Sequence, residues 1–152
     1  MKLTEKPDFV NWPAIHYVFV ESIGPFMETA PAAWQTLHKH VEEIGRQGKI
    51  NGYLSLYKME PQMMYRAGLA LDIKPEKIPP GFKYERFEGG KYARFVLTGS
   101  YSQLPEACGR VFQTVKETKL PVENNFFIEN YVNDPRVTPE EQLITEILIP
   151  TK

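Results

Sequence analysis

The stretch YARFVLTGSYSQLPEAC at residues 92–108 decides the fold, because YVFVESIGPFMETAPAA at residues 17–33 repeats its pattern. In each, a β-branched and aromatic run reads as a strand, a glycine marks a turn, and an apolar periodicity of three and four follows as a helix. A shift of 75 residues lays Tyr17 on Tyr92, Val20 on Phe95 and Gly24-Pro25-Phe26 on Gly99-Ser100-Tyr101. The same shift brings Thr29 and Pro31 within two residues of Ser102 and Pro105, and lays Ala32 on Ala107 and Leu37 on Phe112. Farther on, a shift of 74 sets Leu54 on Ile128, Tyr57 on Tyr131 and Glu60-Pro61 on Asp134-Pro135.

Working outward, helices are expected over Thr29 to Ile44 and over Ser102 to Glu117. Ala30, Ala33, Trp34, Leu37, Val41 and Ile44 fall on one face of the first, and Leu104, Cys108, Val111, Phe112 and Val115 on one face of the second. Thr29 and Ser102 are the expected caps, with Pro31 and Pro105 in the first turns, where a missing N–H does no harm. Strands are expected over Ile15–Ile23, Tyr53–Met59, Met64–Ile73, Tyr92–Thr98, Phe126–Val132 and Leu143–Ile149, with edge pieces near Leu3–Val10 and Phe82–Phe87. Three prolines make Lys74–Gly81 a linker. The chain therefore reads as one domain over residues 1–152, with repeat one at about 9–73 and repeat two at about 82–150. The fold class is α+β: two pseudo-symmetric βαββ repeats forming one antiparallel sheet, both helices on one face and a groove between them. Such grooves are common small-ligand sites.

Composition narrows the function classes. The 152 residues carry 18 basic and 19 acidic side chains, a net charge of −1, which disfavours direct nucleic-acid binding. No apolar run is long enough for a membrane span, and Met1 to Pro13 lacks the apolar core of a secretory signal, so a cytoplasmic protein is expected. A single cysteine, Cys108, excludes an internal disulfide and a four-cysteine zinc site. Its place on the apolar stripe reads as a small core residue. His38 and His40 are two apart on a helix and do not face each other. With His16 they complete no ligand set, so neither metal nor cofactor is expected. Glu42-Glu43 and Glu140-Glu141 read as solvated charge, too sparse to mimic DNA. No Ser-His-Asp set, P-loop or dinucleotide fingerprint occurs.

Phe127-Ile-Glu-Asn-Tyr-Val-Asn-Asp-Pro135, Thr138-Pro-Glu-Glu and Ile144-Thr-Glu-Ile-Leu-Ile-Pro150 resemble the end of the GyrI-like small-molecule-binding family. Glu88-Gly-Gly-Lys-Tyr-Ala93 resembles that family's entry into its second repeat, and the two Gly turns resemble its strand-to-helix turns. The similarity spans about Ile15 to Pro150. The resemblance implies a tandem βαββ fold that binds bulky hydrophobic, often cationic or planar aromatic compounds, as in the effector-binding domains of AraC- and MerR-type multidrug-sensing regulators. About 14 residues precede the first repeat, so a stand-alone member without a DNA-binding module is expected. Stand-alone members include hydrolases of cyclopropane-bearing, DNA-alkylating natural products and an inhibitor of DNA gyrase. The haem-binding SOUL-type family shares the tandem fold, but His38 and His40 read as exposed helix residues rather than haem ligands.

Phe127, Glu129 and Tyr131 lie two apart on a strand and share a face. Pattern alone favours a solvated Glu129, since glutamates are rarely buried. The resemblance instead implies that Glu129, followed by Tyr131, is the pocket glutamate. There it would meet a ligand cation, helped by aromatic faces contributing about 0.5–2 kcal/mol each. In a hydrolase Glu129 would orient water or deliver a proton, with Tyr131 assisting. Ser55 is the repeat partner of Glu129, so the pocket charge should sit in the second repeat. Tyr53 and Tyr57 form the matching face of the first repeat and can stack on a planar ligand or pack in the core. Trp34, Tyr17, Tyr92, Phe26 and Tyr101 are further candidates for the ligand-binding walls. The expected partner is a small hydrophobic or cationic aromatic molecule, bound by a monomer or homodimer.

Overall fold

The computed structural model describes all of residues 1–152. The elements run β1 (Lys2–Leu3), β2 (Asp8–Trp12), β3 (Ile15–Ile23), α1 (Phe26–Gly45), β4 (Ile50–Lys58), β5 (Met64–Leu71), β6 (Lys83–Phe87), β7 (Gly90–Thr98), α2 (Leu104–Glu117), β8 (Phe127–Tyr131) and β9 (Ile144–Pro150). The strand pairings are antiparallel, and with the two helices they make an α+β fold. Each expected strand is present, and Ile15–Ile23 has the expected bounds.

Two compact units form, one from Met1–Trp12 and Gly90–Lys152, the other from Pro13–Gly89. Their composition differs from a simple division at the mid-chain linker. β2 precedes β3 in the chain yet pairs with β7, from Asp8 on Arg94 to Trp12 on Gly90. β6 precedes β7 yet pairs with β3, from Lys83 on Phe19 to Phe87 on Ile15. The two ladders are the same ladder moved by 75 residues, so the repeat is kept while each half supplies the outer strand of the other unit. Periodicity reveals an element and its period; strand partners are chosen by non-local pairing.

In the Pro13–Gly89 unit, β3 and β4 flank β5. Buried Ala33, Leu37 and Ile44 form the inner stripe of α1. α1 begins three residues earlier than expected. Pro25 is its N-cap and no side chain caps it. The Thr29 hydroxyl instead donates to the Pro25 carbonyl at 3.1 Å, and Pro31 falls in the second turn rather than the first. In the other unit, β7 and β8 flank β9. Ala93, Phe95, Leu97, Ile147 and Ile149 pack there against Ala107, Val111 and Val115 of α2. A 3₁₀ turn over Tyr101–Gln103 precedes α2. Ser100, not Ser102, supplies its cap, accepting the Ser102 amide at 3.2 Å. Pro105 sits in the first turn of α2, as expected. Gly24 and Gly99 end their strands at φ of 130° and 138°, a conformation that L side chains rarely adopt, which is why both turns carry glycine.

Candidate functional site

The chemistry concentrates on the α2-facing side of β8. Phe127, Glu129 and Tyr131 alternate onto one face, where Glu129 pairs across to buried Ile147 and Tyr131 to buried Thr145. Ile147 packs under α2, which fixes that face as the helix side. Phe127 meets Phe112 of α2 edge to face, with centroids 5.4 Å apart.

Glu129 is partly buried and its carboxylate is held by two neighbours. The Tyr131 hydroxyl donates to Oε1 at 2.8 Å, and the Cys108 thiol lies 3.5 Å from Oε2 as a weak donor. No lysine or arginine pairs with it. Burial raises the carboxyl above its ordinary range, and the two hydrogen bonds offset only part of that rise. The same burial, with the adjacent Glu129 charge, pushes the Cys108 thiol up, so it stays protonated and is a poor nucleophile at neutral pH. Cys108 packs against the apolar cluster as expected of a core residue, but it also touches the carboxylate.

Tyr101 extends the site. Its ring meets Tyr131 edge to face at 5.6 Å. It also lines a cleft of about 470 Å³ with Ser100, Ser102, Pro135, Thr138, Glu140 and Leu143. One wall is the strand-to-helix turn; the other is the long loop between β8 and β9. Ser100 donates to Glu140 at 2.6 Å, linking the walls. Burial and the Asp134 charge both raise the Tyr101 phenol.

The Pro13–Gly89 unit carries an aromatic cluster on its own helix-facing side. The Trp34 indole N–H donates to the Tyr65 hydroxyl at 2.8 Å, and that hydroxyl bonds Ser55 Oγ at 2.6 Å. Phe26 contacts both Tyr57 and Tyr65, at 5.5 and 5.6 Å. Tyr53 shares the strand face of Ser55 and Tyr57 and is partly exposed. Tyr65, absent from the residues expected in the site, is the hub of this cluster. Its signal was its register opposite Tyr57 across a short hairpin.

Tyr17 and Tyr92 stand apart from both clusters. They lie on the opposite strand faces, are fully buried, and donate their hydroxyls to backbone carbonyls: Tyr17 to Leu54 at 2.9 Å, Tyr92 to Phe126 at 2.6 Å. Their placement is that of core residues. His38 tilts against Trp34, and His40 approaches Glu43 at 3.6 Å.

Comparison with known proteins agrees with this fold. The chain matches none of the curated proteins by sequence. Among solved structures, it resembles the EcmrR C-terminal domain at a TM-score of 0.82 and 14% identity, covering 100% of this chain and 99% of that one. It resembles SAV2435 bound to tetraphenylphosphonium at 0.75 and 16%, covering 100% and 94%. It also resembles a hydrolase from Listeria innocua at 0.63 and 15%, covering 98% and 93%. At such identities the likeness speaks to the fold. The family model for the GyrI-like small molecule binding domain matches residues 5–152, and the chain belongs to that family.

Proposed function

We propose that this protein binds hydrophobic cationic or planar aromatic molecules, with Glu129 as the group that meets the positive charge. The observation that carries this reading is a partly buried carboxylate without a lysine or arginine partner, set among Tyr131, Tyr101 and Phe127. Leaving such a group unpaired costs the free protein stability; a bound cation removes that cost and adds attraction to the aromatic faces. The fold likeness to SAV2435, a protein seen with tetraphenylphosphonium, supports the same reading. Titrating a fluorescent lipophilic cation tests it. Saturable binding that is weaker for a neutral analogue of the same shape is expected. Equal affinity for the two would remove the role of Glu129.

A second reading has one specific observation in its favour. The Tyr131 hydroxyl sits 2.8 Å from a carboxyl that burial raises above the ordinary glutamate range. A proton held there can be delivered to the leaving atom of a strained electrophile while water adds. Incubating the protein with a cyclopropane-bearing electrophile and following the hydrated product separates an enzyme from a binder.

A further inference from the structure

The cleft beside Tyr101 lies wholly within the unit of Met1–Trp12 and Gly90–Lys152, and the repeat shows how it is built. In both units the glycine of the strand-to-helix turn is tied to the loop that joins the next two strands. The Gly24 amide donates to the Met63 carbonyl at 3.0 Å, and the Gly99 amide to the Leu143 carbonyl at 2.8 Å. The loops themselves differ. Residues 59–63 join β4 to β5, whereas residues 132–143, more than twice as many, join β8 to β9. The turns differ in chemistry as well. Pro25, Phe26 and Met27 follow Gly24, but Ser100, Tyr101 and Ser102 follow Gly99. The longer loop supplies the opposite wall through Pro135, Thr138 and Glu140. Extra loop length fixed over a rigid scaffold is a usual place for binding groups. Here the walls are already tied together by the Ser100 hydroxyl, which donates to Glu140 at 2.6 Å. With that proton committed, the Ser102 hydroxyl, 2.9 Å away, donates to Ser100 and keeps its own lone pairs available. The Tyr101 phenol and the Thr138 hydroxyl make no hydrogen bond within the protein. No lysine, arginine or histidine lines the cleft, and the Asp134 charge acts on Tyr101, so the cleft disfavours anions.

We propose that this cleft binds an amino sugar, a single pyranose ring bearing an ammonium group. The C–H face of the ring lies on the Tyr101 ring, the ammonium group meets the Glu140 carboxylate, and the sugar hydroxyls exchange hydrogen bonds with Tyr101, Ser102 and Thr138. A volume of about 470 Å³ holds one such ring with its substituents. The site is separate from Glu129, which does not line the cleft, and the inference stands independently of the binding reading above.

The test titrates glucosamine into the protein at a slightly acidic pH, where the sugar is protonated, and follows the backbone amides by NMR. N-acetylglucosamine serves as the uncharged ring, and cyclohexylamine as an ammonium-bearing ring without hydroxyls. Glucosamine should give saturable shifts at residues 99–103 and 138–143 and should bind at least about fivefold more tightly than either control. Glu140→Gln keeps an acceptor for Ser100 and should bring glucosamine down to the affinity of N-acetylglucosamine. Thr138→Val should weaken both sugars by roughly threefold and leave cyclohexylamine unmoved. Glu129→Gln should change none of the three. Cyclohexylamine bound as tightly as glucosamine overturns the sugar class, and N-acetylglucosamine bound as tightly overturns the role of Glu140. Shifts that fail to saturate at tens of millimolar glucosamine, or that fall outside the cleft, overturn the site itself.

Discussion

Tyr131 donates its hydroxyl to Oε1 of Glu129 at 2.8 Å from two residues along the same strand, so one strand supplies both the acid and its partner. The bond favours the carboxylate, burial favours the acid, and burial is the larger influence. The carboxyl therefore titrates above the range of an ordinary glutamate.

Stability should fall as pH rises across this titration. The folded state holds the Glu129 proton to higher pH than the unfolded chain does. The stabilisation from the protonated acid is thus complete below about pH 4 and is lost as pH climbs through the raised folded value. Glu129→Gln has no such proton. Its melting temperature relative to wild type should climb between pH 4 and 8, with little change at the acid end. A difference that stays flat with pH would place Glu129 in ordinary solvent.

Cation affinity should move in the opposite direction. If the protein binds cations as proposed, the charged carboxylate is the binding form, so affinity for a permanent cation should rise toward a plateau as pH passes the raised value, by at most about tenfold per pH unit. A neutral analogue should show no such trend. Dye titrations at pH 4, 5, 6 and 7 distinguish the cases, and parallel curves for the two ligands would exclude the charge interaction.

How much was legible in the sequence differs between fold and site. The strand from Ile15 to Ile23, the helix stripes and the paired glycine turns were readable because each depends on local periodicity and backbone chemistry. The exchange of β2 and β6 was not, since Asp8 meeting Arg94 is a contact across most of the chain. Thr29 looked like a cap, but Pro25 already starts the helix and leaves the hydroxyl bonding back to the Pro25 carbonyl. Glu129 with Tyr131 was visible as a two-residue spacing on a strand. The Cys108 contact was not, because it depends on how α2 lies over β8. Aligning the helices at 74 rather than 75 would have set Cys108 against Trp34, and that was the available signal.

Tyr17 should behave as a core residue. Its ring lies over Gly68, where an added Cβ would stand 2.5 Å from Tyr17 Cε1 and 2.6 Å from the Val18 carbonyl oxygen. The backbone oxygen cannot give way cheaply, so Gly68→Ala should cost about 3 kcal/mol or more, as severe overpacking does. Tyr17→Phe removes the hydroxyl's bond to the Leu54 carbonyl and should cost about 0.5–1.5 kcal/mol. Chemical denaturation measures both. If Tyr17→Phe kept full stability but lost ligand affinity, its role would lie in binding instead.

Tyr131→Phe separates the two functions considered for Glu129. Removing the hydroxyl deletes a hydrogen bond to the carboxylate but keeps a ring able to meet Tyr101. The loss of one such bond should cost about 0.5–1.5 kcal/mol in stability. Because the bond favours the ionised form, its removal should raise the Glu129 pKa further and move the midpoint of cation affinity to higher pH. At a pH well above both midpoints Glu129 is ionised in either protein, so a pure binder should then lose little affinity. A hydrolase should lose turnover at every pH, since the phenol assists the chemical step as well as tuning the acid. Dye titration and product formation, measured on the same two proteins at several pH values, resolve these patterns. An affinity midpoint that does not move would show that the hydroxyl leaves the carboxylate's charge untouched, and the pairing of Tyr131 with Glu129 would then serve packing alone.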